Sequence, residues 1–181
     1  MTALDFTITF RSPFAVATGV ARDGLDTTVN VTEPLPATAL KGLIRAHLRD
    51  SLGASPTQVA QIFDSGDQVR WIFSSAEFPD VVDINHWARV KVDDFGRAEE
   101  RHLMVGEQAG AATASFAITW EGPGNPPEAE TRALRASARC VTSLGSHRRR
   151  GMGWVSITDA LPWTEKDSRC LLDWLSNEGS R

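Results

Sequence analysis

Ser143-Leu-Gly-Ser-His-Arg-Arg-Arg-Gly-Met-Gly-Trp-Val-Ser-Ile157 is the stretch around which this chain is organised. Gly145, Gly151 and Gly153 bracket the run Arg148, Arg149, Arg150, and an apolar pattern follows through Trp154, Val155 and Ile157. Glycine lets a backbone turn tightly and bring its N–H groups close to a ligand. Three guanidinium forks beside it suit phosphate, and the strand that follows fixes the loop to a sheet. The combination reads as a loop holding a polyanion backbone, RNA above all. Gly-rich loops ahead of strands are also ordinary turns, and arginine runs are also simply solvated. Arg150 to Ile157 half-matches the RNA-recognition signature basic-Gly-aromatic-Gly-aromatic-Val-x-aromatic. Met152 and Ile157 occupy two of its aromatic positions, which argues against base stacking of that type.

Working outward, residues 128–142 have a helical period, with Ala133, Leu134, Ala138 and Val141 inward and Arg132, Arg135 and Arg139 as a basic stripe. Before them Ala114, Phe116, Ile118 and Trp120 alternate with polar residues, the period of a half-buried strand. After the loop, residues 164–176 read as a C-terminal helix capped by Thr164. At the other end Leu4, Phe6, Ile8 and Phe10 alternate in the same two-residue period. Residues 38–52 form a helix with Thr38 as cap, Pro36 before it and Gly53 after it. Leu40, Leu43, Ile44, Leu48 and Leu52 are its buried stripe. Lys41, Arg45 and Arg49 recur every four residues without an acidic partner at helical spacing before Asp50, a positive flank or a solvated face.

Between these anchors, residues 11–36 are irregular, with one short strand expected at 27–31, and they carry Asp23 and Asp26. Residues 56–63 suggest a short second helix, and Gly66 introduces a strand over 69–76. Two charged arms, 87–93 and 98–104, flank Asp94-Phe95-Gly96, a hairpin turn. The order is βαββαβ with the hairpin set aside, the split ferredoxin-like pattern of an α+β fold. We expect one domain over residues 1–181, a hairpin insertion at about 85–108 and the C-terminal helix as an addition.

Composition narrows the function classes. The chain has 181 residues, 41% of them hydrophobic and 23% charged, as in a soluble globular protein. The formal charge of −4 argues against an indiscriminate polyanion binder, although a local basic face remains open. No apolar run spans a membrane, and no signal peptide opens the chain. Cys140 and Cys170 are too few for a disulfide framework or zinc cluster, and suit a reduced, cytoplasmic protein. None of His47, His86, His102 and His147 pairs with another at metal spacing. His147 lies in the basic loop, within reach of phosphate.

Four separated stretches resemble one family. Leu35-Pro-Ala-Thr-Ala-Leu-Lys-Gly-Leu-Ile-Arg45 looks like its Ile-Pro-Gly-Ser-Ser-Leu-Lys-Gly-x-x-Arg segment. Ile62-Phe63 with Arg70-Trp-Ile-Phe-Ser-Ser-Ala76 resembles its Phe-Gly and Gly-Arg-Leu-x-Phe-x-Asp-Ala pair. Arg89-Val-Lys-Val-Asp-Asp-Phe-Gly-Arg-Ala98 resembles its hairpin, and Leu144 to Gly153 its terminal Gly-rich loop. The family is the RAMP superfamily of CRISPR effector complexes, and the likeness is to the repeating backbone subunit of type III complexes. Asp64, Ser75 and Ala37-Thr38-Ala39 depart from the pattern.

The resemblance implies a subunit that polymerises along a guide RNA with copies of itself and other CRISPR effector subunits. A ferredoxin-like palm would hold the guide, and a thumb hairpin with Arg89, Lys91, Phe95 and Met104 would kink the guide–target duplex. Lys41, Arg45, Arg49, Gly145, His147, Arg148, Arg149, Arg150, Gly151 and Gly153 become the expected RNA contacts. Gly24-Leu25-Asp26 resembles the family's Gly-Ile-Asp loop, in which the Asp supports metal-dependent cleavage of target RNA. Asp26 is therefore the candidate catalytic and metal residue, with a divalent cation such as Mg2+ as cofactor. Asp23 is the local rival, and an ordinary turn residue is the other reading. The alternatives are a non-catalytic cap or spacer subunit, a stand-alone endoribonuclease that processes precursor guide RNA, and a metabolic ferredoxin-like enzyme. The positive stripes and the lack of a paired acid–base constellation argue against the last.

Overall fold

The computed structural model of the protein describes residues 2–22, 24–64 and 70–177. In chain order the elements are β1 (Thr2–Phe10), α1 (Ala37–Asp50), α2 (Pro56–Phe63), β2 (Trp71–Phe73), β3 (Asp83–Val92), β4 (Ala98–Gly110), β5 (Thr113–Trp120), α3 (Glu128–Arg139), β6 (Val155–Asp159) and α4 (Glu165–Ser176). A four-stranded sheet runs β2-β5-β1-β6, and β3 and β4 form a separate two-stranded ribbon. The pairs β1–β5, β1–β6 and β2–β5 are all antiparallel. With the ribbon set aside this is the ferredoxin-like βαββαβ palm, with an inserted hairpin and a C-terminal helix.

Period-two alternation decides which face is buried. Leu4, Phe6, Ile8 and Phe10 of β1 and Ala114, Phe116, Ile118 and Trp120 of β5 are buried on one face. Phe6 sits opposite Phe116 across the strands, and their rings stack at 4.9 Å. Leu40, Ile44 and Leu48 of α1 and Ala133, Leu134 and Ala138 of α3 close over that face. Each of the large aliphatic side chains contributes about 1.5–3 kcal/mol by leaving water. The opposite face carries Thr7, Thr9, Ser115 and Thr158, all exposed.

Several expectations shift. Thr38 is inside α1 and does not cap it; Pro36 is the N-cap and lacks a side-chain cap bond. The Ala37 N–H donates instead to Ser75 Oγ at 3.0 Å, and Ser75 donates to Glu33. The cap thus comes from the loop after β2, which no local sequence signal reveals. The expected strand at 27–31 is a set of isolated bridges: Thr27 to Gly106 and Val29 to Ala17. The expected strand over 69–76 spans only 71–73 among the described residues; its start, with Gly66 and Val69, lies outside them. The hairpin arms are longer, reaching back to Asp83 and on to Gly110. Thr164 does cap α4, in a reciprocal capping box with Asp167.

The stripe on α3 is the largest change. Arg135 bonds Asp159 at 2.6 Å, with both side chains about 5% exposed (6% and 4%). Arg139 also bonds Asp159, and both arginines donate to Leu161 O at 2.9 Å. Arg132 pairs with Glu128 at 2.9 Å and Asp167 at 3.1 Å. These guanidinium groups fasten α3 to the end of β6 and to α4, so the expected second basic flank is a structural seam.

Candidate nucleic-acid interface

The glycine loop is a hairpin of backbone held against the segment after β1. Leu144 N–H donates to Gly153 O (2.8 Å), Ser146 N–H to Ala15 O (2.7 Å) and Gly153 N–H to Pro13 O (2.7 Å). At Gly145 (φ +76°) an added Cβ would lie 2.4 Å from Ala15 O, and at Gly153 (φ +72°) 1.9 Å from Leu144 O. Only glycine fits either place. Both glycines are thus required by the loop's own packing, a reason separate from any contact with a ligand. Gly151 (φ +84°) faces open space. Between them Arg148–Arg150 make one 3-10 turn, entered from His147 in the left-handed region at φ +58°.

This loop faces α1 across a groove of about 270 Å³. Ala39, Gly42 and Ala46 of α1 form one wall, Leu144 and Gly145 the other, and Arg148 lies at the rim. His47 stands close by. Burial lowers its pKa, the Arg148 charge lowers it further, and Asp50 opposes them.

Lys41, Arg45 and Arg49 do not line this groove. At about 100° per residue, Arg45 and Lys41 lie about 60° and 100° round the solvent side of the helix from Gly42, the nearest groove residue. Arg45 makes a fork with Asp64 (3.1 and 2.6 Å), and Arg49 with Asp50 (2.6 and 2.9 Å). Lys41 has no ion pair among the described residues. The expected wholly positive flank is therefore largely neutralised, through Asp64 at the end of α2 and the sequence neighbour Asp50.

The ribbon meets the loop at its root. Arg89 Nη1 lies 3.0 Å from His147 Nδ1, and Arg89 Nη2 lies 3.6 Å from Met152 Sδ. Arginine only donates, so His147 Nδ1 accepts and the proton of the neutral ring is on Nε2. The Trp87 ring meets His147 edge-on at 4.8 Å, and Arg89 lies over Trp87 at 4.8 Å. Burial, then the charges of Arg89 and Arg150, lower the His147 pKa. Trp87 was missed in the sequence because its partner lies 60 residues on. Arg148 and Arg150 are exposed beside this cluster, and the side chain of Arg149 lies outside what the structure describes.

Farther out, Lys91 pairs with Glu99 at 2.8 Å, and Met104, opposite Arg89, is half-exposed. Asp93 builds the tip by accepting from Arg97 and Phe95 N–H, which hold its carboxyl below the usual range. Phe95 is 83% exposed there.

Asp26 sits on the loop that flanks the root. Its N–H donates to Val105 O (2.7 Å), and its Oδ2 accepts from Val105 N–H (2.8 Å). The next residues continue the seam: Glu107 N–H donates to Thr27 O (2.9 Å), and Glu107 Oε2 accepts from Val29 N–H (2.9 Å). Asp26 is thus exposed, with one carboxylate oxygen engaged by the ribbon. Asp23 lies outside the described residues. No group of three or more His, Cys, Asp or Glu among the described residues could hold a metal ion. Asp26 offers at most one ligand, so a cation there would need phosphate and water for its other positions.

No family model matches the sequence, and no curated protein does. Among solved structures, the chain is similar to one in the apo state of type III-B Cmr-beta, with a TM-score of 0.65 and 11% identity, covering 87% of this chain and 97% of that one. It is also similar to a chain of type III-B Cmr-beta bound to cognate target RNA, with a TM-score of 0.63, 12% identity and coverage of 88% and 97%. No helix among the described residues is long and apolar enough to cross a membrane. In fold, this chain is similar over most of its length to chains of the type III-B Cmr-beta assembly.

Proposed function

We propose that the protein is a guide-RNA-binding backbone subunit of a type III-like CRISPR ribonucleoprotein. The observation that carries this is the junction of groove and ribbon: the α1–loop groove, the exposed Arg148 and Arg150, and the Arg89–His147 contact at one place. His147 turns Nε2–H away from Arg89 and can donate it to a phosphate oxygen, while Arg148 and Arg150 supply charge. A-form duplex is held by backbone contacts, and guide pairing supplies the sequence information. One of the similar assemblies is described as bound to cognate target RNA, which supports the same partner here.

Replacing Arg148 and Arg150 together by Ala should weaken binding of guide RNA and flatten its salt dependence, because each lost phosphate contact reduces counterion release. RNA affinity unchanged at low and high salt would defeat the reading.

Asp26 is our candidate for target-RNA cleavage, sharing a divalent cation with the RNA phosphate. A second reading, a non-catalytic subunit, is favoured by the bond between Asp26 Oδ2 and Val105 N–H, which gives the residue a structural task. Asp26→Asn separates them. The amide oxygen can still accept from Val105, but the charge is gone. Assembled complexes carrying it should bind target RNA and leave it uncut if Asp26 holds the cation. Unimpaired cutting favours the second reading.

A further inference from the structure

One large side chain beside the glycine loop has no structural task. Trp154 is 54% exposed, on the open side of the sheet, where β1 and β6 meet. Its backbone is pinned on both sides: its N–H donates to Ser12 Oγ (2.9 Å), and its carbonyl accepts from Arg11 N–H (2.8 Å). Trp71, Trp87, Trp120 and Trp163 each donate their indole N–H to a protein acceptor, whereas Trp154, like the half-buried Trp174 of α4, has no acceptor among the described residues. With Arg11, Thr142 and Ser143 it borders a shallow recess of about 350 Å³. The Arg11 guanidinium and the hydroxyls of Thr142 and Ser143 likewise have no partner among the described residues.

An exposed aromatic plane, a free cation and two free hydroxyls form the donor set of a nucleotide seat: a face for the base, donors for its edge and charge for its phosphate. The surrounding face carries hydroxyls, Thr9 and Thr158 among them, instead of the apolar patch on which a protein interface centres. Gly151-Met-Gly alone separates Arg150 from Trp154, so the recess lies within a few residues of the loop's arginines. Met152 and Ile157, the other two positions of the RNA-recognition half-match, are buried at 6% and 2% and cannot stack. Of those positions, Trp154 is the one left free.

We propose that Trp154 and Arg11, with Thr142 and Ser143, form a seat that stacks one unpaired nucleobase of the bound RNA, next to the phosphate contacts of the glycine loop. This rests on the RNA-binding reading given above. The test uses the full chain with two labelled probes, an oligouridylate and a ribose-phosphate strand of equal length without bases. Trp154→Ala should weaken oligouridylate binding about tenfold, the range of one lost stack, and leave the baseless strand unaffected. Trp154→Phe should restore most of the loss, and thermal melts of both variants should match the parent. If Trp154→Ala leaves the two affinities unchanged while Arg148→Ala with Arg150→Ala lowers both, the seat is wrong and the RNA reading survives. An equal loss on both probes also removes the seat, since the indole would then act through the fold. If the unaltered chain binds neither probe, both proposals fall.

Discussion

Replacing Asp159 by Ala should cost the protein much of its stability and test whether the α3 arginines are structural. Asp159 lies at the end of β6 with its side chain 4% exposed, accepting from Arg135 and Arg139. Its removal leaves Arg135, 6% exposed, with only the Leu161 and Pro162 carbonyls and the Trp163 ring at 5.4 Å. Stranding one member of a buried pair costs about 3–5 kcal/mol, and the remaining carbonyls argue for about 3. For a domain of this size that is a drop in Tm of about 9 °C, out of a total stability of about 5–15 kcal/mol. Urea and thermal melts read it directly. Acid provides a second check. Burial pushes the Asp159 carboxyl up, but hydrogen bonds from Arg135 and Arg139 and their charges outweigh it and hold the pKa down. The pair's contribution is therefore complete above the unfolded carboxylate pKa of about 4 and is lost as pH falls through the lower folded value. Asp159→Ala should lack this part of the acid dependence. A Tm within about 2 °C of the parent would refute the reasoning and restore these arginines as a free basic stripe on α3.

Other outcomes follow from the loop and the ribbon. Gly151→Ala should fold and lose about 1–2 kcal/mol from its positive φ alone, whereas Gly153→Ala, whose Cβ would lie 1.9 Å from Leu144 O, should fail to give soluble protein. Expression and melts of the two variants decide it. Arg89→Ala should free the ribbon root, seen as faster amide exchange at residues 87–90 with the palm amides unchanged. His147 has its pKa lowered in the fold, so its contribution is complete above the unfolded value of about 6.5 and is lost as pH falls through the lower folded one. A protonated ring cannot accept from Arg89. Loosening of the ribbon below that point should therefore be absent in Arg89→Ala, measured by the pH profile of the same amides.

The palm was legible because β1, β5, α1 and α3 each bury one face, and burial writes a period into the sequence. What escaped was whatever is settled across the fold. Arg135 and Arg139 read as free charge because their partner, Asp159, stands 24 and 20 residues later. Arg45 read as an unpaired cation because Asp64 approaches from α2. The α1 cap was misassigned to Thr38 because Ser75 lies 38 residues beyond Ala37. In the site, the glycine loop was found from composition, but the reason for its glycines was not, since Ala15 O and Leu144 O are invisible in a linear pattern. His147 was read as part of the arginine loop, while Trp87 and Arg89, which orient its ring, were read as parts of the ribbon.

The ladder from Asp26 through Thr27 to Val29 binds the loop after β1 to the base of β4 by two backbone hydrogen bonds and two from backbone N–H groups to the Asp26 and Glu107 carboxylates. Loop and ribbon therefore share one lever arm. Under the RNA-binding reading proposed above, a duplex bearing on the Phe95 tip would act on the Asp26 carboxylate through a ribbon that is not a straight strut: its pairing shifts register between Val90 and Val92, and Arg101 of β4 has a φ of +61°.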